Sequence, residues 1–125
     1  MAQPGEVWGF WSEEAGKRKW HVCVSLDGCF LFLNSPKLRP FPGEFTIDNA
    51  EVPFLPATHN GQSIISCSIV LRMTDDELAA ANGKCYGNVD NALLRKLLPF
   101  LQTTPTLVEE DRDAVTEGLL DWLGV

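Results

Sequence analysis

The stretch KRKWHVCVSLDGCFLFLNS, residues 17–35, predicts the centre of the fold. Its first half alternates with the period of a half-buried strand, and one face of that strand holds Trp20, Val22, Val24 and Leu26. The dipeptide Asp27-Gly28 then indicates a two-residue type I′ hairpin turn, because both central residues of that turn need positive φ. Residues 29–35 are apolar on both faces, which is typical of a central strand. An antiparallel hairpin in the middle of a sheet is therefore predicted.

The remaining pattern predicts an α+β fold. The β-rich part covers residues 4–73 and the helical part covers residues 74–123, with strands expected at 6–12, 19–26, 29–35, 44–48 and 63–73. Strands that precede helices favour α+β, and short irregular connections favour a small, strongly bent antiparallel barrel. The chain has 125 residues, of which 45% are apolar. Since one core commonly spans about 100–150 residues, we expect a single domain over residues 1–125.

Local signals predict three helices in the second half. Residues 74–77, TDDE, form a capping-box pattern before a short helix that should stop near Gly83. Residues 88–102 carry an apolar stripe at helical spacing, and Pro99 should kink or end that helix. The stripe consists of Val89, Leu93, Leu97 and then Phe100 or Leu101. A second capping-box pattern at residues 106–109 predicts a final helix, whose apolar face holds Val108, Val115, Leu119 and Trp122.

The charge of the chain is unevenly distributed. The net charge is −7. Residues 1–72 contain six Lys/Arg and seven Asp/Glu, and residues 73–125 contain four and ten. Phosphate affinity depends on local positive potential, so an anionic ligand should bind to the first half. The basic residues there are predicted to form the rim of a phosphate-binding site, with a solvated loop tip as the alternative: Lys17, Arg18 and Lys19, joined by Lys37 and Arg39.

The sequence predicts a cytoplasmic protein. No run approaches the roughly 18 apolar residues that a membrane span needs, and the first ten residues, MAQPGEVWGF, lack a secretory pattern. The four cysteines include no C-x-x-C pair, and three of them lie in apolar strand-like runs. Reduced, buried thiols are therefore expected, and a disulfide framework is the alternative.

Histidines and aromatic residues provide further candidates. His21 is a candidate general base because its pKa lies closest to neutrality, and a packed or surface histidine is the alternative. His21, Cys23 and His59 lack the spacing of a metal site, so no metal or cofactor is predicted. Four aromatic residues could stack on bases, although core and dimer contacts are the favoured interpretation: Trp8, Phe10, Trp11 and Trp20.

Three segments resemble the PemK/MazF family of bacterial toxins. They are PGEVWGF at residues 4–10, KRKWHVCVS at 17–25 and SIISCSIVLRMTDDELAAANGKCYGNV at 63–89, and their order covers most of residues 4–101. The resemblance implies an SH3-like barrel with appended helices. It also implies a homodimer, an antitoxin protein as partner and single-stranded RNA as substrate.

Active members of that family cut single-stranded RNA without a metal, which makes an endoribonuclease the function that the resemblance implies. The family's loop-to-strand arginine matches Arg18 or Lys19, and its hydroxyl residue near the phosphate matches Ser35. The catalytic set expected here is Arg18, His21 and Ser35. The expected RNA-binding residues are Lys17, Lys19, Lys37 and Arg39.

One departure from the family pattern keeps a second function open. Some members carry Arg-Cys-Asp on the strand that matches residues 66–68, where this chain has Ser66, Cys67 and Ser68. A serine provides no charge-assisted contact to phosphate and is a weak base without assistance. The alternative is a catalytically inactive module of the same fold that binds a protein or nucleic acid. Lipid- and nucleotide-binding folds can also place strands before helices.

Overall fold

The computed structural model describes residues 1–36, 38–39, 41–58 and 60–125. The strands are β1 (Glu6–Ser12), β2 (Lys17–Cys23), β3 (Cys29–Asn34), β4 (Glu44–Asp48), β5 (Gln62–Arg72) and β6 (Lys84–Asn88). The helices are α1 (Asp75–Ala80), α2 (Asn91–Thr103) and α3 (Glu109–Leu123), and a 3₁₀ turn covers Asn49–Glu51. The predicted α+β class is confirmed.

All six strands form one antiparallel sheet in the order β4-β5-β3-β2-β1-β6. The sheet is not closed into the expected barrel, because β4 pairs only with β5 and β6 pairs only with β1 among the described residues. Strand β6 was not expected from the sequence. Its segment, KCYGN, contains a glycine and an exposed lysine and cysteine, so it lacks the apolar alternation that marks β1 to β3.

Strand β3 is buried on both faces, as its sequence predicts. Residues 29–33 are each at most 7% exposed. On one face, β2 and β3 pack beneath α2 and α3 in the main core, which includes Val22, Leu31, Leu97 and Leu119. On the other face, a smaller core joins the sheet to α1 and the N-terminus through Phe10, Cys23, Phe30, Leu78 and Ala2. Burial of each large apolar side chain contributes roughly 1.5–3 kcal/mol, so both layers stabilise the central strand.

The hairpin between β2 and β3 is real, but its turn differs from the prediction. The Val24 amide donates to the Cys29 carbonyl at 2.8 Å, which leaves a longer loop than two residues. Gly28 has φ of +79°, whereas Asp27 does not have positive φ, so the turn is not type I′. The Ser25 hydroxyl accepts hydrogen bonds from the amides of Asp27 and Cys29. This side chain stabilises the wider loop, in which only the last residue is left-handed.

The first predicted capping box is confirmed and the second is wrong. At α1, the Thr74 hydroxyl accepts from the Glu77 amide at 3.1 Å and the Glu77 carboxylate accepts from the Thr74 amide at 3.0 Å. At α3, the N-cap residue is Val108, which has no side-chain cap. The Thr106 hydroxyl instead donates to the Cys67 carbonyl at 2.7 Å, so it joins the helical half to β5.

The buried faces of the two long helices agree only in part with the expected stripes. Helix α2 continues past Pro99 to Thr103, so the proline does not end it. Its buried side chains are Leu93, Leu94, Leu97, Leu98 and Leu101. In α3, Val115 and Leu119 are buried as expected, whereas Val108 precedes the helix and is 64% exposed.

We predict that Gly28→Ala destabilises the protein by about 2–4 kcal/mol, because alanine there combines an unfavourable left-handed backbone with a clash. An added Cβ at Gly28 would lie 2.1 Å from the carbonyl oxygen of Met73. Gly16 is the matched control, since its φ is +67° and an added Cβ would meet nothing within 4 Å. Urea unfolding should show a loss of only about 1 kcal/mol for Gly16→Ala. Equal losses in both variants would contradict the role of the Met73 contact.

Candidate anion-binding groove

A groove of about 350 Å³ lies where the β1–β2 hairpin, the end of β3 and the loop before β5 meet. We name it the basic groove. It is lined by Lys17, Arg18, Lys19, Trp20, Leu33, Asn34, Ser35, Leu55, Pro56, Ala57, Thr58 and Ser63. Three of these side chains are cationic and none is acidic, so the described lining has a positive charge in a chain whose net charge is −7.

Arg18 is held in place by two backbone carbonyls. Its Nη1 donates to the carbonyl of Asn82 at 2.9 Å and its Nη2 donates to the carbonyl of Gly9 at 3.0 Å. Gly9 leaves the space for this approach, because an added Cβ would lie 3.3 Å from Nη2 and 2.7 Å from the Tyr86 ring. Carbonyl partners orient the guanidinium without neutralising it, and Arg18 makes no salt bridge among the described residues. The positive charge of Arg18 is therefore not cancelled by a carboxylate of the described residues.

Lys19 extends along the opposite face of β2 from Arg18. Its Nζ donates to Oδ1 of Asn34 on the neighbouring strand. The same ammonium lies 5.3 Å from the centroid of the Phe32 ring, within cation–π distance. These contacts follow from the antiparallel register that places Trp20 opposite Leu33. Strand pairing therefore brings Asn34, which the sequence did not single out, beside a predicted RNA-binding lysine.

Asn49 is one of the residues that hold the far wall of the groove together. Oδ1 of Asn49 accepts hydrogen bonds from the hydroxyls of Thr58 at 3.3 Å and Ser63 at 3.1 Å. Its Nδ2 donates to the carbonyl of Thr58 at 3.3 Å. The 3₁₀ turn thereby attaches the irregular loop to the first residues of β5. Thr58 and Ser63 were missed by sequence reasoning, because residues in a proline-containing loop and at a strand end give no periodic signal.

The groove brings together four of the seven residues proposed for the site. Lys17, Arg18, Lys19 and Ser35 all line it. Arg39 is exposed but is not among the lining residues. Lys37 lies outside the described residues, as does His59 from the metal set that the sequence analysis weighed.

His21 does not reach the groove, which contradicts its expected place in the catalytic set. Its side chain is fully buried, stacked on the Phe10 ring at a centroid distance of 3.7 Å and tilted against Phe32 at 5.0 Å. Among the residues that the structure describes, neither ring nitrogen has a hydrogen-bond partner of good geometry, although the backbones of Trp8 and Lys19 lie nearby. Burial lowers the pKa of His21 from 6.5 to about 4. The ring is thus a neutral core residue, which was the alternative interpretation of the sequence.

Ser66 and Ser68 also lie away from the basic groove. Neither lines it, and Ser66 pairs with Phe32 on one side and Glu44 on the other. Cys67, between them, is buried in the main core. Burial raises the pKa values of Cys67 and Cys23 to about 12, so both thiols are neutral and unreactive at neutral pH.

The four aromatic residues proposed for base stacking occupy different environments. Phe10 is buried, Trp8 and Trp20 are half-buried and Trp11 is 51% exposed. Only Trp20 lines the basic groove. It also packs against the main core, in line with the favoured interpretation of the sequence.

No model of a known protein family matches the chain, and no curated protein matches it significantly. Within the described residues, no three His, Cys, Asp or Glu side chains are grouped so that they could hold a metal ion. None of the described helices is long and apolar enough to cross a membrane.

We predict that His21 makes the stability of the protein fall as the pH is lowered from about 7.5 to 5. Its pKa is about 4 in the folded protein and 6.5 in the unfolded chain. The unfolded state therefore binds the proton first, and stability is lost between pH 6.5 and 4. The expected loss is about 2 kcal/mol between pH 7.5 and 5.

Urea unfolding at several pH values measures this effect. His21→Phe should keep the stacked packing and remove this part of the pH dependence. A variant with the same pH slope as the unmodified protein would show that another group is responsible.

Proposed function

We propose that the chain is a toxin-like RNA-binding protein whose basic groove holds the backbone of single-stranded RNA. The observation that carries this proposal is the grouping of Lys17, Arg18 and Lys19 in one groove without a carboxylate in its described lining. Phosphate oxygens accept hydrogen bonds from guanidinium and ammonium groups. Trp20 in the same groove offers a face on which a base can stack.

The groove has polar groups suited to a phosphodiester and a ribose. Ser35 is exposed at the groove edge, and its hydroxyl can donate to a phosphate oxygen. Thr58 and Ser63 line the opposite wall. A hydroxyl-lined basic groove suits RNA better than a purely apolar ligand, because ribose hydroxyls and phosphates both need hydrogen-bond partners.

Binding without cleavage is the function that this geometry supports best. Metal-independent cleavage needs a base for the 2′-hydroxyl and an acid for the leaving oxygen. The described lining contains no imidazole or carboxylate, and His21 is enclosed in the core. This favours the inactive module that the sequence left open as an alternative.

A metal-independent endoribonuclease is the second candidate. It is favoured by one observation, the presence of Arg18 and Ser35 in the same groove. In such a reaction the 2′-hydroxyl loses its proton to solvent water and its oxygen attacks phosphorus, the bond to the 5′-oxygen breaks and that oxygen takes a proton from water, and Arg18 stabilises the charge on the phosphorane. For both candidate functions, the resemblance to PemK/MazF toxins also implies a homodimer, an antitoxin partner and an SH3-like fold.

We predict a salt-dependent affinity for single-stranded RNA. Three phosphate contacts should give a slope of log K against log salt of about −2, because each contact contributes about −0.7. Lys17→Gln should reduce the size of the slope by about 0.7. Fluorescence anisotropy with a labelled single-stranded RNA, at salt concentrations from low to moderate, measures the slope for the unmodified protein and for Lys17→Gln.

Lys96→Gln is the matched control for this measurement. Lys96 is an exposed residue of α2 outside the groove, and its substitution makes the same change in net charge. Equal effects of Lys17→Gln and Lys96→Gln would indicate non-specific attraction and contradict the proposed site. An unmodified protein without measurable RNA affinity at low salt would contradict it as well.

We predict that the bound RNA stays intact in the presence of a metal chelator. The reason is that His21, the expected base for the 2′-hydroxyl, is enclosed in the core. Incubation of a mixed transcript pool with the protein, followed by analysis of the RNA ends, measures cleavage. Products with a 2′,3′-cyclic phosphate and a 5′-hydroxyl, lost in Ser35→Ala, would favour the endoribonuclease instead.

A further inference from the structure

A second groove, of about 610 Å³, lies between the β1–β2 hairpin and helix α1. We name it the acidic groove. Its accessible apolar surface is provided by Trp11, Leu71, Met73, Ala80 and Ala81, whereas Phe10, which also lines it, is buried. Trp11 is 51% exposed and is thus the largest accessible apolar group in this lining. Its backbone amide donates to the Ala81 carbonyl at 3.1 Å, which holds the strand against the end of α1.

The charged residues of this groove all have the same sign. Glu13 and Glu14 lie in the turn after β1, and Glu77 lies on α1 across the groove. The described lining contains no Lys or Arg. None of these three glutamates makes a salt bridge among the described residues. The Glu77 carboxylate accepts a capping hydrogen bond from the Thr74 amide, which leaves its charge in place.

We propose that the acidic groove binds a segment of a partner protein in which apolar side chains are flanked by Lys or Arg. The apolar surface favours burial of such side chains, because contact removes apolar area from water. Trp11 provides a rigid aromatic face that an arginine or lysine can also contact through its π-system. The glutamates pair with the flanking cations and repel acidic ligands, so nucleic acid is excluded from this groove.

The acidic groove is distinct from the basic groove, although both use the β1–β2 hairpin. Arg18 connects them, because its side chain lines the basic groove while its Nη1 donates to the carbonyl of Asn82 in the acidic groove. One hairpin thus presents cations on one side and glutamates on the other. A partner segment and an anion can therefore bind at the same time, and the proposal stands whether or not the basic groove binds RNA.

The test uses a short, labelled synthetic peptide of leucine and lysine at helical spacing, and a second peptide with glutamate in place of lysine. Fluorescence anisotropy should show binding of the first peptide only. Glu13→Lys/Glu14→Lys should weaken it at least about tenfold by removing two ionic contacts. Trp11→Ala should also weaken it about tenfold or more, as expected for an aromatic contact at the centre of an interface.

The matched control is Glu109→Lys/Glu110→Lys, because it makes the same change in net charge at two adjacent exposed residues of α3. This variant should retain the peptide affinity, as should Lys17→Gln in the basic groove. Circular dichroism checks that every variant is folded. If Lys17→Gln retains the peptide affinity, the peptide site is distinct from the proposed RNA site, because that substitution should weaken RNA binding alone.

Several results would overturn the proposal. These are an undetectable affinity for the leucine–lysine peptide at millimolar concentration, equal weakening by the α3 control, and unchanged affinity in Glu13→Lys/Glu14→Lys or Trp11→Ala. Sedimentation without peptide provides a further test. If Trp11→Ala converts a dimer into a monomer, the groove is occupied by a second copy of the chain and the peptide assignment is wrong.

Discussion

Burial of strand β3 on both faces is the constraint on which the rest of this structure depends. Residues 29–33 expose at most 7% of their surface, so the sheet must be covered from above and below. The cover on one side is α2 with α3, and on the other it is α1 with the N-terminal residues. The same layers bury parts of the strands that flank β3 in the sheet, namely residues 21–23 of β2 and residues 63–65 and 67 of β5. This explains how His21 and Cys67, both polar or reactive by type, come to be core residues.

The first residues of β2 extend beyond the part of the sheet that the helices bury. Strand β2 changes from exposed at Lys17 and Arg18 to buried at residues 21–23. Cations can therefore lie on the strand without burial, because their side chains extend past the edge of the core. The backbone carbonyls of Gly9 and Asn82 then orient Arg18 without cancelling its charge. Local positive potential is maintained in this way within an acidic chain.

The β1–β2 hairpin contributes residues to two grooves of opposite charge. Glu13 and Glu14 at its turn line the acidic groove, together with apolar residues. The cations at residues 17–19 line the basic groove, together with hydroxyl groups. An ion pair between the two sets of charges would weaken the electrostatic potential in both grooves. Arg18 instead contacts backbone carbonyl oxygens. Two surfaces of opposite charge are thereby compatible with one small domain.

The amino-acid sequence alone was sufficient to predict the α+β class, the central hairpin, the capped start of α1 and the basic cluster at residues 17–19. Each of these depends on local physics: alternation of apolar residues, turn-forming residues, a Thr and a Glu three residues apart, and adjacent cations. Tertiary structure decided the rest, because it depends on which segments pair. The β6 partner of β1, the contact of Thr106 with Cys67 and the enclosure of His21 all join residues far apart in the chain or on different strands. The second wall of the basic groove has the same origin, since Asn49 joins a loop to a strand end. A sequence pattern shows which side chains can bear a charge or a proton, but only packing decides whether water and a ligand can reach them.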